Sequence, residues 1–163
     1  MVRVNKNMRE FMNIVEESAV PKTLQDVANH FLFMHDDLLD DEDDIGGDIS
    51  ETDAIEIIRR NYVSGTCAAF AIALHDKYGY PIVGINGGMH VAVKTPDGQI
   101  MDFMGKNPLP VVLKRYGMGK NTPMREWTRD EAVAHLLIDE EDVDDAWNDI
   151  NIAKWVMNKL GRW

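Results

Sequence analysis

Cysteine is almost absent from this sequence, which contains Cys67 alone among its 163 residues. One cysteine excludes a disulfide framework within the chain and a zinc site built from several thiolates. No apolar run approaches the roughly 20 residues that a helix needs to cross a bilayer. Residues 1–17 also lack the apolar core and small-residue cleavage site of a signal peptide, so we expect a cytoplasmic protein.

Basic residues are scarce, with 17 Lys and Arg against 28 Asp and Glu and a formal net charge of −11. Because phosphate groups are neutralised by lysine and arginine, we expect neither nucleic acid nor an anionic membrane as a partner. Acidic residues are concentrated in residues 36–53, which contain no Lys or Arg. An EF-hand loop starting at Asp41 would need an oxygen ligand at Ile45 and a glutamate at Thr52, so the calcium pattern fails. We interpret the segment as a solvated acidic loop; docking of a basic partner or weak cation binding are the alternatives.

The spacing of apolar residues predicts several helices in a single domain, residues 1–163. Three pairs of residues have the spacing of an N-terminal helix cap: Thr23 with Asp26, Ser50 with Asp53, and Thr128 with Glu131. Helices are expected over residues 5–17, 24–32, 55–62, 68–77, 132–137 and 140–160. Gly79 and Gly161 stand where helices should end.

Three strands are expected in the middle of the chain, over residues 81–85, 89–95 and 99–105. Turn-forming residues at 86–88 and 96–98 join them into an antiparallel meander. Residues 107–123, rich in proline and glycine, are expected to be irregular. The prediction is therefore an α+β fold, with N-terminal helices, a central helix packed on a small antiparallel sheet, and C-terminal helices.

Cys67 stands at the predicted start of the central helix, after a Ser–Gly–Thr turn. Free amide groups and the helix dipole favour a thiolate there, and the thiolate is the nucleophilic form of cysteine. A thiol also needs a base, and His90 is the candidate because it begins a strand after a glycine turn. Asp102 is a charged residue within an apolar strand, which usually requires a partner.

The predicted hairpin brings His90 and Asp102 together. With a turn around residues 96–98, position 90 faces position 103 or 104, which makes Asp102 a cross-strand or diagonal neighbour of His90. A carboxylate there would fix the tautomer of a catalytic imidazole. For the oxyanion hole, the amide of Cys67 is one expected donor and the side chain of Asn61 the other, with Tyr62 as the second choice.

The segments GTCAAFAIALHDKYGYPI and HVAVKTPDG, followed by Asp102, resemble the core of the transglutaminase-like branch of the papain-like cysteine enzymes. The resemblance covers residues 61–105. It implies Cys67 as nucleophile, His90 as general base and acid, and Asp102 as the residue that orients His90. Asn61 is similar in spacing to the oxyanion-hole glutamine of papain-like proteases. The tryptophans that many transglutaminases have near the nucleophile and the histidine are absent.

The function that we expect is hydrolysis of a peptide or amide bond through a Cys67–His90–Asp102 triad. The substrate would be a protein or peptide, with basic ones among the candidates. No glycine-rich phosphate loop is present, so we expect no cofactor, and the spacing of His30 and His35 is poor for a metal site. Two alternatives remain: a transglutaminase or acyltransferase using the same triad, and an inactive binding or inhibitory protein on the same fold.

Overall fold

The structure is a computed structural model that describes residues 21–34, 48–139 and 143–163. The fold is α+β, as the sequence predicts, and the described residues form six α-helices and one five-stranded sheet. The helices are α1 (Leu24–Met34), α2 (Glu51–Ser64), α3 (Cys67–Tyr78), α4 (Leu109–Arg115), α5 (Arg129–Asp139) and α6 (Val143–Leu160). The strands are β1 (Ile82–Ile85), β2 (His90–Lys94), β3 (Ile100–Asp102), β4 (Gly105–Asn107) and β5 (Met124–Trp127).

Every neighbouring pair in the sheet is antiparallel, and the strand order is β4-β3-β2-β1-β5. Among the described helices, none is long and apolar enough to cross a membrane. The helix predicted over residues 5–17 and most of the acidic loop, up to residue 47, lie outside the described residues.

The predicted helix caps are confirmed. In each pair, the hydroxyl oxygen of the first residue accepts the amide N–H of the second: Thr23 and Asp26, Ser50 and Asp53, and Thr128 and Glu131. These bonds satisfy amide groups that the first turn of a helix cannot satisfy internally. At the C-terminal end of α3, Gly79 adopts a left-handed conformation with φ 71°, and its N–H donates to the carbonyl of His75. Side-chain hydrogen bonds therefore set the starts of α1, α2 and α5, and the backbone conformation of Gly79 sets the end of α3.

Helix α3 is the central element of the core. Its residues 67–74 are all buried, and the helix packs against the sheet and against α2, α5 and α6. Four of these eight residues are alanine, which lets neighbouring elements approach closely. The opposite face of the sheet is covered by Val112 and Leu113 of α4, which pack on Val83, Ile85, Ala92 and Ile100. The sheet thus lies between α3 on one face and α4 on the other.

Two predictions about residues 99–123 are wrong. The strand expected over residues 99–105 is two strands, because the chain reverses after Asp102 and Gly105 takes φ 87°, which favours glycine. The segment expected to be irregular, residues 107–123, contains α4. Its Pro108 and Pro110 lie at the helix start, where a proline removes no needed N–H group.

Strand β5 was also missed by the sequence analysis. It pairs with β1, with Trp127 opposite Ile82. The indole of Trp127 lies over Gly84, where an added Cβ would be 2.2 Å from the ring. The absence of a side chain at Gly84 is therefore what lets Trp127 pack on the sheet.

Candidate active site

Cys67 is the first residue of α3, and no side chain caps the start of this helix. The turn before it is held by Asn61, whose backbone carbonyl accepts the N–H groups of Gly65 and Thr66 at 2.9 and 3.0 Å. The side-chain amide of Asn61 donates to the hydroxyl of Thr66. Asn61 thus fixes the turn that presents Cys67, and one of its two amide hydrogens is already engaged. The thiol side chain is mostly covered, since Cys67 is 7% exposed.

His90 and Asp102 form a buried pair, with His90 Nε2 2.9 Å from Asp102 Oδ2. His90 is fully buried and Asp102 is 4% exposed. The observed pairing sets Val93 opposite Met101 and Lys94 opposite Ile100, so the same register sets Ala92, two residues after His90, opposite Asp102. Asp102 is therefore the diagonal neighbour of His90 on the same sheet face, one of the two arrangements that the sequence predicts.

Asp102 is held by three further contacts. Its Oδ1 accepts the N–H of Met104 at 2.8 Å, and Arg115 Nη1 lies 3.5 Å from its Oδ2. Its backbone carbonyl accepts the indole N–H of Trp163 at 2.9 Å. The carboxylate therefore has little freedom to rotate away from His90, which is the property required of a residue that orients a catalytic imidazole.

The imidazole of His90 is also held by Tyr116, at the C-terminal end of α4. The two rings are stacked, with centroids 4.0 Å apart and an interplanar angle of 26°. Neither Tyr116 nor Arg115 was singled out by the sequence analysis, because both lie in the segment predicted to be irregular. Their only sequence signal is a basic–aromatic pair in a stretch rich in turn-forming residues, which is too common to identify a site.

The protonation of His90 depends on its neighbours. Burial lowers the pKa of His90, but its hydrogen bond to Asp102 and its contact with Cys67 outweigh this effect and raise the pKa from 6.5 to about 9. Nε2 is engaged by Asp102, whereas Nδ1 is buried and makes no fully formed hydrogen bond to any described residue. Nδ1 is therefore the ring atom that remains available to exchange a proton with the thiol.

The structure brings Cys67, His90 and Asp102 together from α3, β2 and β3. An imidazolium beside a thiol at an uncapped helix start is an arrangement that can supply a thiolate and return a proton to a leaving group. Within the described ranges, no group of three or more His, Cys, Asp or Glu side chains is arranged to hold a metal ion. Two open concavities of about 320 and 530 Å³ lie on the described surface, and Cys67 lines neither of them.

The chain has no match among protein-family models, among curated proteins or among solved structures.

Proposed function

We propose that this protein is a cysteine enzyme of the papain-like or transglutaminase-like kind that cleaves a peptide or amide bond by acyl transfer through Cys67. The observation that carries the proposal is the buried 2.9 Å pair of His90 and Asp102, together with its contact with Cys67. A histidine whose protonated form is favoured in a buried site is suited to pair with a thiolate and to act as an acid.

In the first half of the reaction, the thiolate of Cys67 attacks the carbonyl carbon of the amide, and a C–S bond forms. The negative charge moves to the carbonyl oxygen, which the backbone N–H of Cys67 can stabilise. The imidazolium of His90 gives its proton to the amide nitrogen, the C–N bond breaks, and a thioester remains on Cys67.

In the second half, neutral His90 removes a proton from water, and the oxygen attacks the thioester carbon. The C–S bond then breaks, which releases a carboxylic acid and returns Cys67 to the thiolate. An amine in place of water would give transamidation through the same steps. We favour water because no described feature marks an amine-binding site beside Cys67.

The test is the rate at which iodoacetamide alkylates Cys67. Near neutral pH we expect the wild-type thiol to react quickly and His90→Ala to react at least about 10-fold more slowly, because the base is lost. His30→Ala is the matched control, since His30 also faces a carboxylate, with its Nε2 3.7 Å from Asp149 Oδ1. Equal alkylation rates in wild type and His90→Ala would refute the proposed activation of Cys67 by His90.

A second candidate is a binding protein on the same fold. The observation in its favour is the 7% exposure of Cys67, which leaves little room for a substrate at the sulfur. In that case the wild-type thiol should resist iodoacetamide unless the protein is unfolded, and p-nitrophenyl acetate should leave no acetyl group on Cys67 by mass spectrometry.

A further inference from the structure

The triad leaves the buried hydroxyl of Tyr116 unexplained. The ring of Tyr116 stacks on His90 at 4.0 Å, which places it directly beside the catalytic imidazole. Its hydroxyl is buried and makes no fully formed hydrogen bond with any part of the chain that the structure describes. A buried hydroxyl without a partner is unfavourable for folding and calls for an explanation.

The electrostatic surroundings of Tyr116 connect it with the nucleophile. Burial raises the pKa of Tyr116, and the charges of Asp102 and Cys67 raise it further, while Arg115 opposes them. The hydroxyl therefore keeps its proton throughout the working pH range and can only act there as a donor or a neutral acceptor. Together with the 4.0 Å stacking of its ring on His90, the effect of the Cys67 charge indicates that Tyr116 lies close to the proposed reacting groups.

Another buried tyrosine hydroxyl provides a comparison. Tyr62 also has a buried hydroxyl with no fully formed bond to the described residues, but its ring lies in an aromatic cluster with Phe31, Phe70 and Phe103. Burial and the charge of Asp149 raise the pKa of Tyr62, and no effect of Cys67 is among the causes. Tyr116 is thus distinguished by its stacking on His90 and by the influence of the Cys67 charge.

We propose that the Tyr116 hydroxyl donates the side-chain hydrogen bond of the oxyanion hole, opposite the backbone N–H of Cys67. This inference rests on the proposed function and adds a catalytic residue to it. Asn61, the donor predicted from the sequence, has one amide hydrogen engaged by Thr66. The Tyr116 hydroxyl makes no fully formed hydrogen bond to the described residues, and the neighbouring guanidinium of Arg115 can only donate to it, so the hydroxyl proton remains free. The substrate carbonyl oxygen would supply the missing partner as its negative charge develops.

Two reactions of Cys67 separate this role from that of His90. Acetylation by p-nitrophenyl acetate forms a C–S bond and expels p-nitrophenolate through a tetrahedral oxyanion. Alkylation by iodoacetamide forms a C–S bond and expels iodide without any oxyanion. Loss of an oxyanion donor should therefore slow acetylation and leave alkylation unchanged, while damage to the thiolate–imidazolium pair should slow both.

The variant is Tyr116→Phe, which keeps the ring against His90 and removes the hydroxyl alone. We expect acetylation to fall about 100-fold, as for the loss of one oxyanion-hole donor, and alkylation to stay within about twofold of wild type. Tyr62→Phe removes the other buried hydroxyl, which is the alternative donor expected from the sequence, and should slow acetylation far less than Tyr116→Phe does.

Any of three results in the variants would overturn the inference: unchanged acetylation in Tyr116→Phe, an equal fall in both of its reactions, or a comparable loss of acetylation in Tyr62→Phe. A wild-type thiol that alkylates quickly but is never acetylated would overturn it as well, because no working oxyanion hole would exist. Failure of the wild-type thiol to alkylate is a different outcome, since it removes the proposed function on which the inference rests.

Discussion

Replacement of Asp102 by asparagine tests the buried pair most directly, because it keeps the size of the side chain and removes its charge. In the native protein Oδ1 accepts the Met104 N–H at 2.8 Å and Oδ2 accepts from His90 Nε2 at 2.9 Å. The asparagine side chain has an oxygen that accepts and an NH₂ that donates, so it cannot accept from both the Met104 N–H and the His90 Nε2–H. If its oxygen keeps the Met104 bond, its NH₂ faces Nε2, and His90 must carry its single proton on Nδ1, toward the thiol.

Both stability and reactivity should fall in Asp102→Asn. A hydrogen bond between charged, buried partners contributes about 2–3 kcal/mol, and the neutral amide replaces only part of it, so the free energy of unfolding should fall by about 2 kcal/mol. With the carboxylate gone, the pKa of His90 should drop from about 9, because burial then has less to oppose it. Alkylation of Cys67 near neutral pH should slow by one or more orders of magnitude, since the imidazole is held in the wrong tautomer.

Urea unfolding measures the stability change, and proton NMR of the His90 ring measures its titration. Asp97→Asn is the matched control, because Asp97 pairs with Lys106 at 3.2 Å with both side chains about half exposed. Solvent screens this pair, so its loss should change the urea midpoint far less than Asp102→Asn does. The reasoning is refuted if Asp102→Asn unfolds at the wild-type urea concentration and its His90 titrates as in the wild type.

Two predictions concern residues outside the triad, Asp76 and Gly84. A hydrogen bond from Arg129 lowers the pKa of Asp76 from its ordinary value of 3.8 to about 2, so the stability that this ion pair provides is present above pH 3.8 and lost as the pH falls toward 2. Asp76→Asn should therefore lower the free energy of unfolding by about 1 kcal/mol at neutral pH, after allowance for solvent screening, and by less in acid; a deficit that is constant with pH would contradict this. Gly84→Ala would place its Cβ 2.2 Å from the Trp127 ring and should cost about 2 kcal/mol or more in urea unfolding. Gly119→Ala, where no atom lies within 4 Å of the added Cβ, should cost much less, and equal costs would show that the ring moves aside freely.

Local signals explain how much of the fold was predictable. The cap at Ser50 and Asp53 and the stop at Gly79 are interactions between residues a few positions apart, so their pattern is visible in the sequence. The diagonal relation of His90 and Asp102 was also accessible, because a tight turn of known position sets the register of the strands that it joins.

The rest depends on contacts between distant parts of the chain. Arg115 reaches Asp102 across 13 positions, and Trp163 reaches its carbonyl across 61. Nothing in the local pattern around either residue indicates which strand it will meet. The division of residues 99–105 into two strands was missed for a different reason. Asp102 pairs with Gly105 across a two-residue turn, and neither Phe103 nor Met104 in that turn is a typical turn-forming residue.

The cost of burying the pair bears on the choice between an enzyme and a binding protein. A buried ion pair generally stabilises a fold no better than apolar side chains of similar volume would. Here a fully buried imidazole and a nearly buried carboxylate also need Arg115 and a stacked Tyr116, and the ring still has a nitrogen without a formed bond to the described residues. If the sheet served only for packing, apolar side chains could fill the positions of His90 and Asp102. Chemistry at Cys67 is therefore a better explanation of this arrangement than stability is.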